Sequence, residues 1–110
     1  MAEATEFRLA LTTTDTAASA ERLAGELVER RLAACVNIVG PVRSVYRWKG
    51  RVVRDQERLL VIKTSAEKFA ALSAALADLH GYDVPELISL KVEEGARPYL
   101  DWLADELSGG

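Results

Sequence analysis

The run Cys35-Val36-Asn37-Ile38-Val39-Gly40-Pro41-Val42-Arg43-Ser44-Val45-Tyr46-Arg47-Trp48-Lys49-Gly50-Arg51-Val52-Val53-Arg54 decides the architecture. β-Branched and aromatic residues fill it on both sides of two interruptions, Gly40-Pro41 and Lys49-Gly50. Strand-like sequence resumes at once after Gly40-Pro41, so residues 35–48 read as one long, bent strand. Lys49-Gly50 reads as a turn, and Arg51 to Arg54 lead through Asp55-Gln56-Glu57-Arg58 into the apolar Leu59-Leu60-Val61-Ile62-Lys63-Thr64. The result is a hairpin with arms of roughly 12 to 15 residues, against a usual strand length of about five or six. Arms that long must project. Their exposed edges, carrying Val45, Tyr46, Trp48, Val52 and Val53, invite pairing with other copies in a closed homo-oligomer.

The flanks supply the rest of the fold. Phe7 to Thr12 alternates and ends in Thr12-Thr13-Thr14-Asp15, a strand meeting a helix cap at Thr14 or Asp15. Ala20, Leu23, Ala24, Leu27, Val28 and Leu32 then recur at helical spacing, with Glu21, Arg22, Glu26, Glu29 and Arg30 on the other side. Ser65 is placed to cap a second helix carrying Phe69, Leu72, Leu76 and Leu79, which His80-Gly81 ends. Val84 to Val92 reads as a last strand with its proline, Pro85, at the entry. Arg97-Pro98 opens a third helix whose apolar face is Tyr99, Trp102, Leu103 and Leu107. The order β-α-β-β-α-β-α predicts an α+β fold: a ferredoxin-like split βαβ sandwich with a long β-hairpin and an extra C-terminal helix.

The 110 residues suit a single domain spanning 1–110. With 28% charged and 49% hydrophobic residues, the composition is that of an ordinary globular protein. A net charge of -3, with no basic block interleaved with aromatics, argues against nucleic acid as a partner. The start MAEATEFRLALTTTD has no basic stretch before an apolar run, and no apolar segment reaches 18 residues, so neither export nor a membrane partner is expected. One cysteine, Cys35, allows no internal disulfide, which fits a reducing, cytoplasmic setting. Its apolar surroundings read as those of a small buried hydrophobe.

The segments Arg31 to Val52, Leu60-Val61-Ile62-Lys63-Thr64, LHGYDVPELISLKV (79–92) and Tyr99-Leu100-Asp101-Trp102 together resemble the CutA family of divalent-cation tolerance proteins. The most specific parts are Leu32 to Asn37, Tyr46-x-Trp48-x-Gly50, Lys63-Thr64 and His80-x-Tyr82-x-x-Pro85-Glu86. The resemblance implies a homotrimer with hairpins reaching across subunit boundaries. It also implies a link to copper and other divalent ions. Leu79 stands where some copper-linked members have a second histidine, Thr12 where they have a further cysteine, and Gly81 where proline is common. The expected contact with copper or another divalent cation is therefore weak.

Candidate site residues follow from chemistry and position. His80 can be a metal ligand, a proton carrier or a cation favoured at a helix C-terminus; as a ligand its oxygen partners would be Asp83 and Glu86. Lys63, just past an apolar strand, is expected to emerge near Tyr82 and hold either Glu86 or a small anion, so Lys63, Tyr82 and Glu86 form a candidate ligand cleft. Tyr46, Trp48 and Trp102 are candidate interface anchors. No GxSxG, P-loop, GxGxxG or cysteine/histidine pair is present, so the expectation is binding or scaffolding in metal tolerance, not catalysis. The alternative is a PII-like sensor module binding a small anionic ligand or nucleotide between subunits.

Overall fold

A computed structural model describes residues 6–109; residues 1–5 and 110, which carry the start of the N-terminal reading and both ends of the single-domain assignment, lie outside the described residues. The elements are β1 (Phe7–Thr14), α1 (Ala17–Glu29), β2 (Cys35–Trp48), β3 (Arg51–Ser65), α2 (Phe69–Leu79), β4 (Ile88–Lys91) and α3 (Arg97–Ser108). They form an α+β fold around a four-stranded antiparallel sheet of order β2-β3-β1-β4. β3 lies between β1 and β2, so the strands of the first β-α-β unit are not neighbours.

The hairpin has arms of 14 and 15 residues, joined at Lys49-Gly50 with φ of 51° and 79°. Two consecutive left-handed residues make the tight turn whose twist matches the flanking strands. Trp48 closes the ladder opposite Arg51. Lower down, the register shifts between Val39 and Val42, where Gly40-Pro41 is a cis bond. The Arg58 stem lies against Gly40 so closely that any β-carbon there would collide with it. A side chain at position 40 would thus displace the arginine from the bend.

Side-chain alternation in β1 and β3 divides the sheet into two unlike faces. Ala10, Thr12, Thr14, Leu60, Ile62 and Thr64 are buried. On that side Ala10, Leu60 and Ile62 pack with Leu23 and Leu27 of α1 and Leu72 and Leu76 of α2. Each such leucine contributes about 1.5–3 kcal/mol by leaving water. The other side carries Phe7, Leu9, Leu11 and Thr13, paired with Ser65, Lys63, Val61 and Leu59. There α3 packs Leu100, Leu103 and Leu107 with Ala34 and Phe7 at one end. Further along this face Ile88 and Leu90, the partners of Leu11 and Leu9, are about half exposed, at 54% and 50%.

Several local expectations give way to the structure. The α1 cap is Thr16, whose hydroxyl accepts from Ser19 N–H at 3.0 Å, not Thr14 or Asp15; Thr14 is still in β1. α1 stops at Glu29 because Arg31 adopts φ of 58° and the Leu32 and Arg31 N–H groups donate to Leu27 and Val28 carbonyls, a left-handed helix ending made without glycine. Ser65 belongs to β3, and its hydroxyl accepts from Lys68 N–H ahead of α2. β4 is only four residues long, beginning at Ile88, so Val84 to Leu87 form an irregular approach to it. The inward face of α3 is Leu100, Leu103 and Leu107, whereas Tyr99 and Trp102 are exposed.

Thr12 Oγ1 is fully buried and has no hydrogen-bond partner among the described residues. A buried hydroxyl left unpaired costs free energy that an apolar group of the same shape avoids. Thr12→Val should therefore stabilise the protein by about 1 kcal/mol, read as a higher urea midpoint at unchanged slope. A lower midpoint would reveal a partner for that hydroxyl.

Candidate functional site

The segment joining α2 to β4 folds back against the middle of the hairpin, where Tyr82 meets Glu57. α2 ends because His80 itself turns extended, at φ −80° and ψ 142°, while its N–H still donates to Leu76 O at 2.8 Å. Gly81 is not in the left-handed region, contrary to the expected glycine stop; among the described glycines only Gly50 and Gly109 are. His80 is 9% exposed, and both ring nitrogens are engaged. Tyr82 N–H donates to Nδ1 at 3.1 Å, which requires the ring proton to sit on Nε2, 2.7 Å from the Thr13 carbonyl that accepts it. The imidazole thereby holds the start of this segment against the end of β1. A metal ion at either nitrogen would have to displace one of these bonds.

Tyr82 continues the attachment. Its hydroxyl donates to Glu57 Oε2 at 2.6 Å, and its ring lies 4.7 Å from that of His80. Glu57 is only 4% exposed, so a carboxylate is held in the sheet by a neutral phenol. Burial first, then the hydrogen bond and negative charge of Glu57, raise the Tyr82 phenol well above the usual tyrosine range. Higher on the hairpin, Tyr46 donates its hydroxyl to Asp55. That hydrogen bond, followed by desolvation and the charges of Asp55 and Glu57, raises the Tyr46 phenol as well.

These residues border an open cavity of about 850 Å³ between the hairpin and the 82–86 segment. Five carboxylates line it, from Asp15, Asp55, Glu57, Asp83 and Glu86, together with the rings of Tyr46, Trp48 and Tyr82. Among the described residues no lysine, arginine or histidine lines it. Such a field attracts cations and repels anions. Asp83 and Glu86 thus share one cavity, but among the described residues no group of three histidine, cysteine, aspartate or glutamate side chains is placed to hold a metal ion.

Lys63 stands elsewhere, correcting its expected position beside Tyr82 and Glu86. It lies between Leu9 and Cys35 in the sheet, six residues along β3 from Glu57, or about 20 Å. Its Nζ is 3.9 Å from Cys35 Sγ and 5.9 Å from the centre of the Tyr99 ring. Cys35 is half-buried, not wholly enclosed. Trp48 is 44% exposed near Lys49, and Trp102, beside Tyr99, is 42% exposed. The sequence reading missed Glu57, Asp55 and Thr13. Their roles depend on strand register, and the only local signal was two acids inside an otherwise apolar and basic hairpin.

The family profile of the CutA1 divalent ion tolerance protein matches residues 8–106. The chain belongs to the CutA family. A divalent-cation tolerance protein CutA of Thermus thermophilus is 52% identical over 86 residues, which are 78% of this chain and 84% of that one. A CutA homologue of Xenopus laevis is 48% identical over 78% of this chain but only 57% of its own length, and for mouse CutA, at 44% identity over 76% of this chain, the share of its own length is 48%. The chain therefore spans about half the length of these animal relatives. The structure of CutA from Synechococcus elongatus superposes with a TM-score of 0.92 at 39% identity, covering 97% of this chain and 96% of that one. The Thermus thermophilus structure gives 0.86 at 48% identity over 88% and 94%.

The Tyr82 bond has a pH signature. The neutral phenol is the form that donates to Glu57, and its folded-state pKa lies above the unfolded value of about 10. The stability it contributes is thus complete below about pH 10 and is lost as pH rises through the higher folded value. Unfolding free energy should fall with pH above about 10, less steeply in Tyr82→Phe, and alkaline absorbance titration should lose a late tyrosine step in that variant. At neutral pH Tyr82→Phe should cost about 1–3 kcal/mol, because Glu57 stays buried without its donor.

Proposed function

We propose that this CutA-family chain acts in divalent-cation tolerance as a cytoplasmic homotrimer that binds its ligand, or scaffolds other components, without chemical turnover. The observation that carries self-association is the uncovered sheet face. Ile88, Leu90 and Val39 lie about half exposed on it, and Val45, Trp48 and Val52 are exposed on a hairpin that has outgrown the rest of the sheet. Among the described residues both sheet edges, β2 and β4, are open. A heterologous contact between one copy's hairpin and the next copy's open face closes into a ring when the rotation is right. The number three rests on the resemblance. Tyr46, Trp48 and Trp102 serve as the aromatic anchors of that contact. The single thiol, Cys35, suits a reducing compartment.

Cation contact belongs to the acidic cavity, through the oxygens of Asp83 and Glu86, which suit hard divalent ions better than soft ones. His80 holds the loop that presents them; as a ligand it would give up its bond to Tyr82 N–H or Thr13 O. Copper or another divalent cation is accordingly held weakly. In the second reading, a sensor for a small anion, Tyr82 and Glu86 drop out because they border the carboxylate-lined cavity, and only Lys63 remains.

Two measurements test the proposal. Sedimentation of the wild type at micromolar concentration should give a trimer, and Ile88→Lys with Leu90→Lys should give folded monomers, since both side chains are half exposed in a single copy. A stable wild-type monomer would sink the assembly. In calorimetric copper titrations, Asp83→Asn with Glu86→Gln should weaken binding at unchanged melting temperature; an isotherm identical to wild type would remove these carboxylates from cation contact.

A further inference from the structure

The second groove of the protein has the opposite chemistry to the first. It lies between α3 and the sheet, has a volume of about 220 Å³, and is walled by Leu9, Val92, Tyr99, Leu100 and Leu103. Lys63 reaches into this apolar setting, and its ammonium has no carboxylate partner among the described residues; its neighbours are the Cys35 sulfur and the face of the Tyr99 ring. Neither satisfies a cation as a carboxylate does, because a thiol is a weak acceptor and the ring offers only its quadrupole. Arg8 and Glu94 also border the groove, so its charged lining sums to one net positive.

We propose that this groove binds a small monocarboxylic acid with an apolar body, its carboxylate on Lys63 and its body against Leu9, Val92 and Leu100. Charge complementarity sets the head group: a half-buried ammonium beside apolar walls gains most from an anion delivered with hydrocarbon attached, which displaces water from both. Volume sets the body. The groove is smaller than the roughly 300–1,000 Å³ typical of drug-sized ligands, so one ring or a short branched chain fits and a nucleotide does not. The Tyr99 ring, 43% exposed, forms the outer wall against which a planar body stacks. Glu94 at the rim disfavours a second negative charge on the ligand and so selects monoanions.

This site shares no residue with the acidic cavity, so its failure leaves the divalent-cation reading untouched, and the converse holds. The test titrates the full chain with benzoate, benzyl alcohol and acetate, followed by amide chemical shifts and by calorimetry, with sedimentation run in parallel. Benzoate should saturate with shifts at Tyr99, Leu100 and Leu103. Benzyl alcohol, lacking the anion, and acetate, lacking the body, should each bind about tenfold or more weakly, as expected for loss of a charge-assisted bond or of the apolar contact. Lys63→Met should lose benzoate, Lys63→Arg should retain it, and Val92→Phe, which narrows the groove without touching the cation, should also lose it, all with the wild-type assembly state. Absence of saturable benzoate binding, equal affinity for benzyl alcohol, or unchanged affinity in either loss variant overturns the proposal. So does dissociation of the assembly in Lys63→Met, which would assign the ammonium to a carboxylate of a neighbouring copy.

Discussion

The register of β3 between its two neighbours is the constraint on which the rest depends. β3 pairs with β1 from Arg58 to Ser65 and with β2 along nearly its whole length, and the Lys49-Gly50 turn fixes the β2 pairing from the tip. Because side chains alternate, a slip of one residue would send Leu60 and Ile62 to the open face and bring Lys63 and Glu57 under the helices. Burying two charges there, unpaired, would cost far more than one hydrophobic contact returns. The same register that closes the core thus delivers Glu57 to Tyr82 and Lys63 to the α3 groove.

From that register the two ends of the open face acquire opposite characters. At one end, α3 leaves Lys63 among apolar walls. At the other, the segment after α2 is tied down by His80 to Thr13 and by Tyr82 to Glu57, and it completes a cavity lined by carboxylates. Neither anchor is a charge pair. Neutral donors hold the buried Glu57 and the β1 carbonyl, and this geometry engages the lone histidine with backbone on both sides, as part of the scaffold.

Much of this was legible in the sequence because it is local. The hairpin arms, their turn at Lys49-Gly50, the three helices and the family likeness all follow from runs and spacings that neighbours in sequence determine. What escaped was decided by contacts between distant residues. The cap moved to Thr16 because β1 runs on to Thr14, paired with Arg58. Tyr99 and Trp102 read as inward by size, yet Leu100, Leu103 and Leu107 are what meets Ala34 and Phe7. Lys63 was sent to the wrong neighbours for the same reason: periodicity states which face a residue takes, and only the register states who shares it.

The outer part of the hairpin, from Arg51 to Gln56 and its β2 partners, lies beyond the reach of β1. A two-stranded ribbon of this kind makes little contact with the hydrophobic core, so the core does not constrain its sequence. Substitutions there leave the interior intact and change only the surface that the ribbon presents. The ribbon can therefore vary in sequence between relatives of this chain, in length as well as in side chains, while the body of the fold stays the same.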